Sequence, residues 1–507
     1  MNTREQILNQ FKSNPIFDII IIGGGATGLG AALDAVTRGY STVLIEGVDF
    51  GKGTSSRSTK LVHGGVRYLA QGNIKLVREA LHERGRLLKN AAHVTSVQPF
   101  VVPVYSLWDK LFYGFGLMVY DILSGNLSLG KTKWLSKKRT TALLPGIEEK
   151  KLFGGVLYYD GQFNDSRLCI DLATTAIAKG AVLLNYCSVI AFQKTNGKIT
   201  GITCIDKLQN KQYTIQAKSV INATGVFTDA ILALDEPDRD KLVSPSQGIH
   251  LVVDKHFFPG DHAMMIPKTD DGRVFFAVPW LDKIVLGTTD TGVDTIAEDP
   301  IALEEEIEFV INHFNRYAAA TIQRSDILSV FAGLRPLVKV KGAASTALLS
   351  RDHTLLISNS GLVTITGGKW TTYRKMAQDA IDNAIFSAKL EKKAGCITKE
   401  LRIGDDMVRG ERLKQIEKAD EDTAALLVPD YSIRLSEIIY AVRFELAITV
   451  EDFLARRTRL LFLNARLAQN TAPVVAEIMA KEMGMNHHWV KKQVESFNLL
   501  AQQYLVA

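Results

Sequence analysis

The feature that most constrains this chain lies near its start. Phe17-Asp18-Ile19-Ile20-Ile21-Ile22 is an almost continuous apolar run with the length of a buried parallel strand. It runs directly into Gly23-Gly24-Gly25-Ala26-Thr27-Gly28, and the small residues and Leu29 to Val36 that follow read as a helix. Thr42-Val43-Leu44-Ile45-Glu46 is a second strand, so the whole is a βαβ unit. The GxGxxG turn places Gly23, Gly25 and Gly28 where glycine allows a tight turn, close approach to a pyrophosphate, and close strand–helix packing. The helix N-terminus then offers aligned amide donors to the anion. Glu46, 18 residues after Gly28, can accept hydrogen bonds from both ribose hydroxyls of an adenosine. The unit predicts a bound dinucleotide, FAD or NAD.

More of the chain bears on that choice. Thr54-Ser55-Ser56-Arg57-Ser58-Thr59-Lys60 sets hydroxyls soon after Glu46, suited to a pyrophosphate or a ribityl chain. Ser219-Val220-Ile221-Asn222-Ala223-Thr224-Gly225 is another strand ending in glycine, and Leu362 to Gly368 is a third that opens a helix at Lys369. A helix N-terminus aimed at an isoalloxazine would stabilise the negative charge gained on reduction. A nucleotide fold whose pieces span about 350 residues suits a long FAD better than NAD.

Between these pieces, Phe100 to Tyr105 and Val274 to Trp280 read as half-buried strands of a second sheet. After about Gly395 helix formers dominate, with helical spacing of apolar residues over Ser436 to Leu463 and Glu477 to Tyr504. The expected class is α/β (α+β overall). A Rossmann-like FAD-binding domain is built from residues 1–75, 165–235 and 340–394. An inserted antiparallel-sheet substrate or cap domain takes 76–164 and 236–339, and a C-terminal helical domain takes 395–507. For 507 residues, three such units are in keeping with ordinary domain sizes.

Composition removes several function classes. Sixty basic against fifty-four acidic residues leave +6, whereas a nucleic-acid binder concentrates far more charge. The mild excess suits anionic metabolites or an anionic membrane surface. Cys169, Cys187, Cys204 and Cys396 show no CxxC and no metal-ligand spacing, so buried thiols in a reducing compartment are expected and no metal. The first residues lack the apolar core of a signal peptide, and the stretch Ala91 to Trp108 carries Pro99 and Pro103, a poor composition for a spanning helix.

One string is far more specific than GxGxxG. Ser58-Thr59-Lys60-Leu61-Val62-His63-Gly64-Gly65-Val66-Arg67-Tyr68-Leu69 resembles the (S)SKLIHGGLRYL motif of FAD-dependent glycerol-3-phosphate dehydrogenases. Val77-Arg78-Glu79-Ala80-Leu81, Gly287-Thr288-Thr289-Asp290, Gly333-Leu334-Arg335-Pro336-Leu337, Ser350-Arg351-Asp352-His353 and Gly367-Gly368-Lys369-Trp370-Thr371-Thr372-Tyr373-Arg374 match in order. The resemblance covers residues 15 to 390 well and the tail more loosely. It implies oxidation of sn-glycerol 3-phosphate to dihydroxyacetone phosphate, with electrons passed to quinone at the membrane.

A phosphate dianion calls for guanidinium forks and ammonium groups. Arg67, Arg335, Arg351 and Lys369 are candidates, and the resemblance puts Arg335 and Arg351 on the phosphate with Lys369 and Tyr68 beside them. Loss of hydride from carbon 2 also requires removal of the hydroxyl proton. His250, in Ser246-Gln247-Gly248-Ile249-His250, aligns with a pocket histidine of the family, whose version reads KGSH; Arg67, Lys369 or water are the other acceptors, and Arg335 completes the catalytic set. Cofactor contacts are expected from Gly23, Gly25, Gly28, Glu46, Thr54, Ser55, Ser56, Lys60, His63, Gly64, Gly225, Gly367, Gly368 and Thr371. Tyr159 could contact substrate or support the pocket from behind.

Trp108 to Tyr120 is unusually aromatic and is followed by Lys131, Lys133, Lys137, Lys138 and Arg139, a pattern that fits either an in-plane interfacial helix or an ordinary core helix with a solvated loop. With the family's behaviour it implies peripheral attachment to the cytoplasmic membrane from the cytoplasm. The cluster Arg456-Arg457-Thr458-Arg459 reads as a solvated helix face that could add electrostatic attachment. A homodimer is compatible with all of this. The competing readings are an oxidase passing electrons to oxygen, a related amine or hydroxy-acid oxidase, and a flavin- or phosphate-binding regulator without turnover.

Overall fold

The computed structural model describes residues 4–13, 16–66, 69, 72–269, 272–339 and 352–506. Its first sheet has eight strands. The strand Ile16–Ile22 sits in the middle, paired in parallel with Thr42–Ile45 on one side and Lys211–Asn222 on the other. Val182–Leu184 and Val363–Gly367 extend the parallel set outward. Ile19 and Ile21 pack into one apolar cluster with the helix Ala26–Thr37, while Ile20 and Ile22 pack into another with the helix Arg4–Lys12. Both faces are covered, which is why the strand reads as an unbroken apolar run.

The second sheet has ten strands and holds Thr95–Val104 and Phe275–Trp280. The half-buried alternation expected for the first of these is absent over Phe100–Val104, where all five residues are buried. The sheet is antiparallel apart from one parallel pair, Ala263–Met264 beside Phe100–Val101. Leu61–Val62, close in sequence to the nucleotide turn, belongs to this second sheet through Gly161 and Gln162. The segment from Thr54 to His63 therefore bridges the two sheets.

The C-terminal part is helical but more broken than its periodicity suggests. Leu435–Phe444, Ala465–Met483 and His487–Gln502 are its longer packed helices, with Asp406–Ala419 before them. The breaks have local causes. The Asn464 side chain accepts from the Leu467 amide and so starts a new helix. Gly484, at φ 69°, ends that helix, and Asn486 caps the next.

The tail arginines are not a solvated face. Arg456 and Arg457 are buried and both grip Asp49, Arg456 through Nε at 2.5 Å. Arg456 also reaches Glu451 and Asp452, each at 2.6 Å. Arg459 is fully buried, donates to the Ser56 carbonyl at 2.7 Å, and lies 3.3 Å from Asp165. Arg456 and Arg457 are matched by Asp49, Glu451 and Asp452, and Arg459 shares Asp165 with Lys60; all three are buried, so none is presented to a membrane. The pairs bolt the helical tail to the loop from Asp49 to Lys60.

Candidate active site

The nucleotide turn is shaped by steric exclusion. Gly23 has φ +108°, and a Cβ there would lie 2.7 Å from the Ala223 carbonyl oxygen. A Cβ on Gly28 would lie 1.9 Å from the Gly23 oxygen, so only glycine lets the helix start this close to the strand end. Gly25 is the N-cap of that helix. Glu46 accepts from the Gly24 amide at 2.5 Å and the Val48 amide at 2.8 Å, and burial pushes its carboxyl above the usual range.

A cavity of about 320 Å³ follows the C-terminal ends of the parallel strands, where open α/β sheets bind ligands. Gly23, Gly25, Glu46, Thr54, Ser55, Gly225, Gly367, Gly368 and Lys369 line it. Glycine edges, helix-start amides, hydroxyls and one carboxylate form the donor and acceptor set of a dinucleotide cradle. A second cavity of about 300 Å³ is lined by Thr59, His63, Tyr158, Asp160, His250, Arg335 and Thr371. The two share Thr54, Pro336, Gly368, Lys369 and Trp370. The shared wall is stitched in place: Trp370 Nε1 donates to the Ser55 carbonyl at 2.8 Å, and Thr371 Oγ1 exchanges hydrogen bonds of 3.1 Å with the His63 amide and carbonyl.

Arg335 is braced before any ligand arrives. Its Nη1 reaches the Gln247 carbonyl and Asp290 Oδ1, both at 3.2 Å, and its Nη2 reaches Thr288 Oγ1 at 2.9 Å and the Thr289 carbonyl at 3.0 Å. Gly248 is required under it, since a Cβ there would meet the guanidinium at 2.2 Å. The departure of Gln247 from the family pattern does not disturb the cavity. Its side chain points to the other face of the strand, bonding Glu306 Oε2 at 2.8 Å. His250, two positions beyond Gly248, faces the cavity, 2% exposed, stacked on Phe331 at 5.0 Å between ring centroids. Burial, then the charges of Lys60 and Arg335, hold its imidazole well below the usual value.

Four expected cofactor contacts, Gly28, Ser56, Lys60 and Gly64, line neither cavity. Ser56 is buried and its hydroxyl turns back to the Lys52 carbonyl at 3.3 Å. Lys60 lines neither cavity and is paired with Asp165 at 2.7 Å. Gly64 also lines neither; its amide donates to the Tyr120 hydroxyl at 2.7 Å, and a Cβ would strike Leu81. Gly28 acts through packing under the turn, not through the cavity wall. By strand alternation it is Tyr158 and Asp160, not Tyr159, that face the second cavity. Arg67, Tyr68 and Arg351 lie outside the described residues.

Sequence reasoning missed Lys52, which lines the first cavity and holds both Glu451 and Asp299 at 3.0 Å. It also missed the buried set Arg84, Asp160 and Tyr120, with both links to Asp160 at 2.8 Å. Burial pushes the Asp160 carboxyl upward against the pull of Arg84. Asp160 alone carried a sequence signal, as the one acid in the largely apolar run Gly154–Phe163; Lys52 and Arg84 sit in polar or charged stretches.

Residues 18–374 match the family described as FAD dependent oxidoreductase, and residues 408–490 match the C-terminal domain of alpha-glycerophosphate oxidase. The mitochondrial glycerol-3-phosphate dehydrogenase of Homo sapiens is 37% identical, the alignment covering 97% of this chain and 74% of that protein. The chain belongs to the FAD-dependent glycerol-3-phosphate dehydrogenase family. The Arabidopsis thaliana mitochondrial member is 36% identical over 97% of this chain and 86% of its own. The glycerol-3-phosphate dehydrogenase from Bacillus halodurans, solved in complex with FAD, superposes with a TM-score of 0.79 at 28% identity, covering 99% of this chain and 97% of that one. The cradle described above fits FAD, as the family requires. Gly23, Gly25, Glu46, Thr54, Ser55, Gly225, Gly367 and Gly368 are the residues that would hold it.

Proposed function

We propose that this chain oxidises sn-glycerol 3-phosphate to dihydroxyacetone phosphate and delivers the electrons to membrane quinone. The observation that carries the substrate assignment is the braced guanidinium of Arg335, set in a cavity that meets the flavin cradle at Gly368-Lys369-Trp370. Held by those acceptors, the guanidinium is a fixed positive charge in the cavity, placed to attract a phosphate dianion. Lys369, on the wall common to both cavities, adds positive charge beside the reacting carbon; on motif grounds Arg351 and Tyr68 join the phosphate site and Arg67 the catalytic set.

FAD, when bound, supplies the two-electron acceptor. The chain does the rest. It orients carbon 2 toward the shared wall, excludes water with Phe100, Met265 and Phe276, and removes the carbon 2 hydroxyl proton. His250 is the proton acceptor in this reading, because burial holds its imidazole well below the usual value and its Nδ1 has no hydrogen-bond partner among the described residues.

The electron acceptor is read from the helix Leu107–Ser124. Trp108, Phe112, Phe115, Val119 and Ile122 follow one stripe of it, with Trp108 81% and Ile122 73% exposed. Exposed Lys131, Lys133, Lys137, Lys138 and Arg139 follow it in the chain. No helix among the described residues is long and apolar enough to cross a membrane. An apolar stripe with a basic border supports in-plane docking on an anionic leaflet at the cytoplasmic face of the membrane, where quinone is drawn from the bilayer.

Replacing both Trp108 and Phe112 by serine is expected to weaken binding to phosphatidylglycerol-containing vesicles by about 10²-fold, from the loss of roughly 3 kcal/mol of apolar burial. Vesicle flotation measures this, with a water-soluble dye as acceptor to confirm that the protein is intact. Unchanged flotation removes the docking assignment. A homodimer through the same stripe is the other occupant, and a doubled mass in solution that the double substitution abolishes would identify it. The match of the tail to an oxidase domain favours oxygen as the rival acceptor. Reoxidation rates with a soluble quinone and with air-saturated buffer separate the two.

A further inference from the structure

Lys60 belongs to the most specific string in the sequence, yet it touches neither cavity. Its backbone adopts φ 65°, which turns its side chain into the interior, where it is wholly buried. The ammonium donates to Asp165 Oδ2 at 2.7 Å and to the Ser56 carbonyl at 2.9 Å. It stands 4.8 Å from the centre of the Phe331 ring, with Trp280 at 5.3 Å and Phe462 at 5.4 Å. Phe331 is the ring on which the His250 imidazole is stacked, the two planes 19° apart. The ammonium and the imidazole thus share one aromatic ring. Thr59, the preceding residue, lines the substrate cavity and places Oγ1 2.9 Å from His250 Nε2.

The charges around His250 have a clear balance. Asp165 serves two cations, Lys60 and Arg459, and also accepts from Ser58 Oγ at 2.7 Å. Arg335, on the strand paired beside His250, adds a third cation, matched by Asp290 at 3.2 Å. Arg57, paired with Asp299, and Arg273 and Lys369 line the same cavity, as does Asp160, paired with Arg84; the field facing the imidazole is net positive, and a positive charge on the ring is opposed.

We propose that Thr59 and Lys60 are positioning residues for His250: the Thr59 hydroxyl fixes the ring through Nε2, and the caged Lys60 ammonium keeps a proton off the resting ring, whose free lone pair, though weakly basic, suffices because the substrate hydroxyl turns strongly acidic as hydride leaves carbon 2. The proposal rests on the reading of His250 as the proton acceptor. It explains why Lys60 is buried at considerable desolvation cost and why the cage is aromatic, since rings accommodate an ammonium without neutralising it. Burial first, against the attraction of Asp165, brings Lys60 down to about 7. Lys60 is therefore charged on the acidic side of neutrality, where an ordinary imidazole would be protonated and useless as a base.

The test uses the FAD-loaded full chain and the rate of flavin reduction by glycerol 3-phosphate between about pH 5 and about pH 9. Thr59→Val is expected to lower that rate about ten-fold, and Thr59→Ser to restore it, with substrate affinity changed by less than about two-fold. Lys60→Met removes the positive charge while Arg459 still balances Asp165. The imidazolium is then less opposed, the histidine protonates at higher pH, and the acid limb moves up by about one unit; Lys60→Arg leaves the limb in place.

An acid limb unmoved in Lys60→Met, or Thr59→Val at the wild-type rate, overturns the proposal. If Lys60→Met holds no flavin, the carbon-13 titration of His250 in the wild type decides, and an imidazolium forming near pH 6.5 overturns it. His250→Asn separates the two levels of the argument: a wild-type rate there refutes the proton-acceptor reading itself.

Discussion

Arg335→Ala is expected to raise the KM for glycerol 3-phosphate by roughly 10²-fold while FAD stays bound, a loss of about 3 kcal/mol. The guanidinium is fixed by Gln247, Asp290, Thr288 and Thr289, so its removal takes away a fixed positive charge and leaves those acceptors uncovered toward the phosphate. Asp290 in particular would then repel the dianion. Arg335→Lys is expected to recover only part of the affinity, because an ammonium cannot reproduce the planar pair of donors. Steady-state kinetics together with the flavin absorbance of the purified variant measure both halves of the expectation. A KM within about two-fold of wild type would remove Arg335 from the phosphate site.

The second large effect concerns the cradle. Gly28→Ala is expected to yield folded protein that has lost FAD, with retention weakened by more than about 10²-fold. The added methyl would lie 1.9 Å from the Gly23 carbonyl oxygen, a backbone atom with nowhere to go, so the helix must lift off the strand end. In the proposed cradle the amides of that helix start would meet the pyrophosphate, and a lifted helix would no longer point them at it. Gly410→Ala is the control, since a methyl there meets nothing within 4 Å. The flavin-to-protein absorbance ratio after gel filtration, with circular dichroism for fold, is the measurement. A fully yellow Gly28→Ala protein would contradict the steric account.

The parts of this site that were legible in sequence are those carried by local spacing. Strand, glycine turn and helix are contiguous, so Gly23, Gly25 and Glu46 could be placed without knowing the rest of the chain. Arg335 and His250 were legible through the motifs that carry the family resemblance, and strand alternation then explains why Gln247 beside them is harmless. The errors fall where direction depends on tertiary structure. In the tight turn Thr54–Ser56 successive side chains diverge, so Thr54 and Ser55 reach the cavity and Ser56 does not. Lys60 is diverted inward by a left-handed backbone that its residue type does not announce. The burial of Arg456 and Arg457 could not be read from the sequence because Asp49, which both grip, lies 407 residues upstream of Arg456. Likewise the stretch Phe100–Val104 lost its expected alternation because elements from distant segments cover both of its faces.

The central claim is tested most directly by an anaerobic visible spectrum of the purified holoenzyme during titration with glycerol 3-phosphate, with glycerol and lactate in parallel. Bleaching of the flavin band by glycerol 3-phosphate alone is the predicted result, because the proposed substrate cavity beside the cradle carries the fixed charge of Arg335. Bleaching by glycerol or lactate to the same extent, or a yellow protein that glycerol 3-phosphate leaves unchanged, would contradict it.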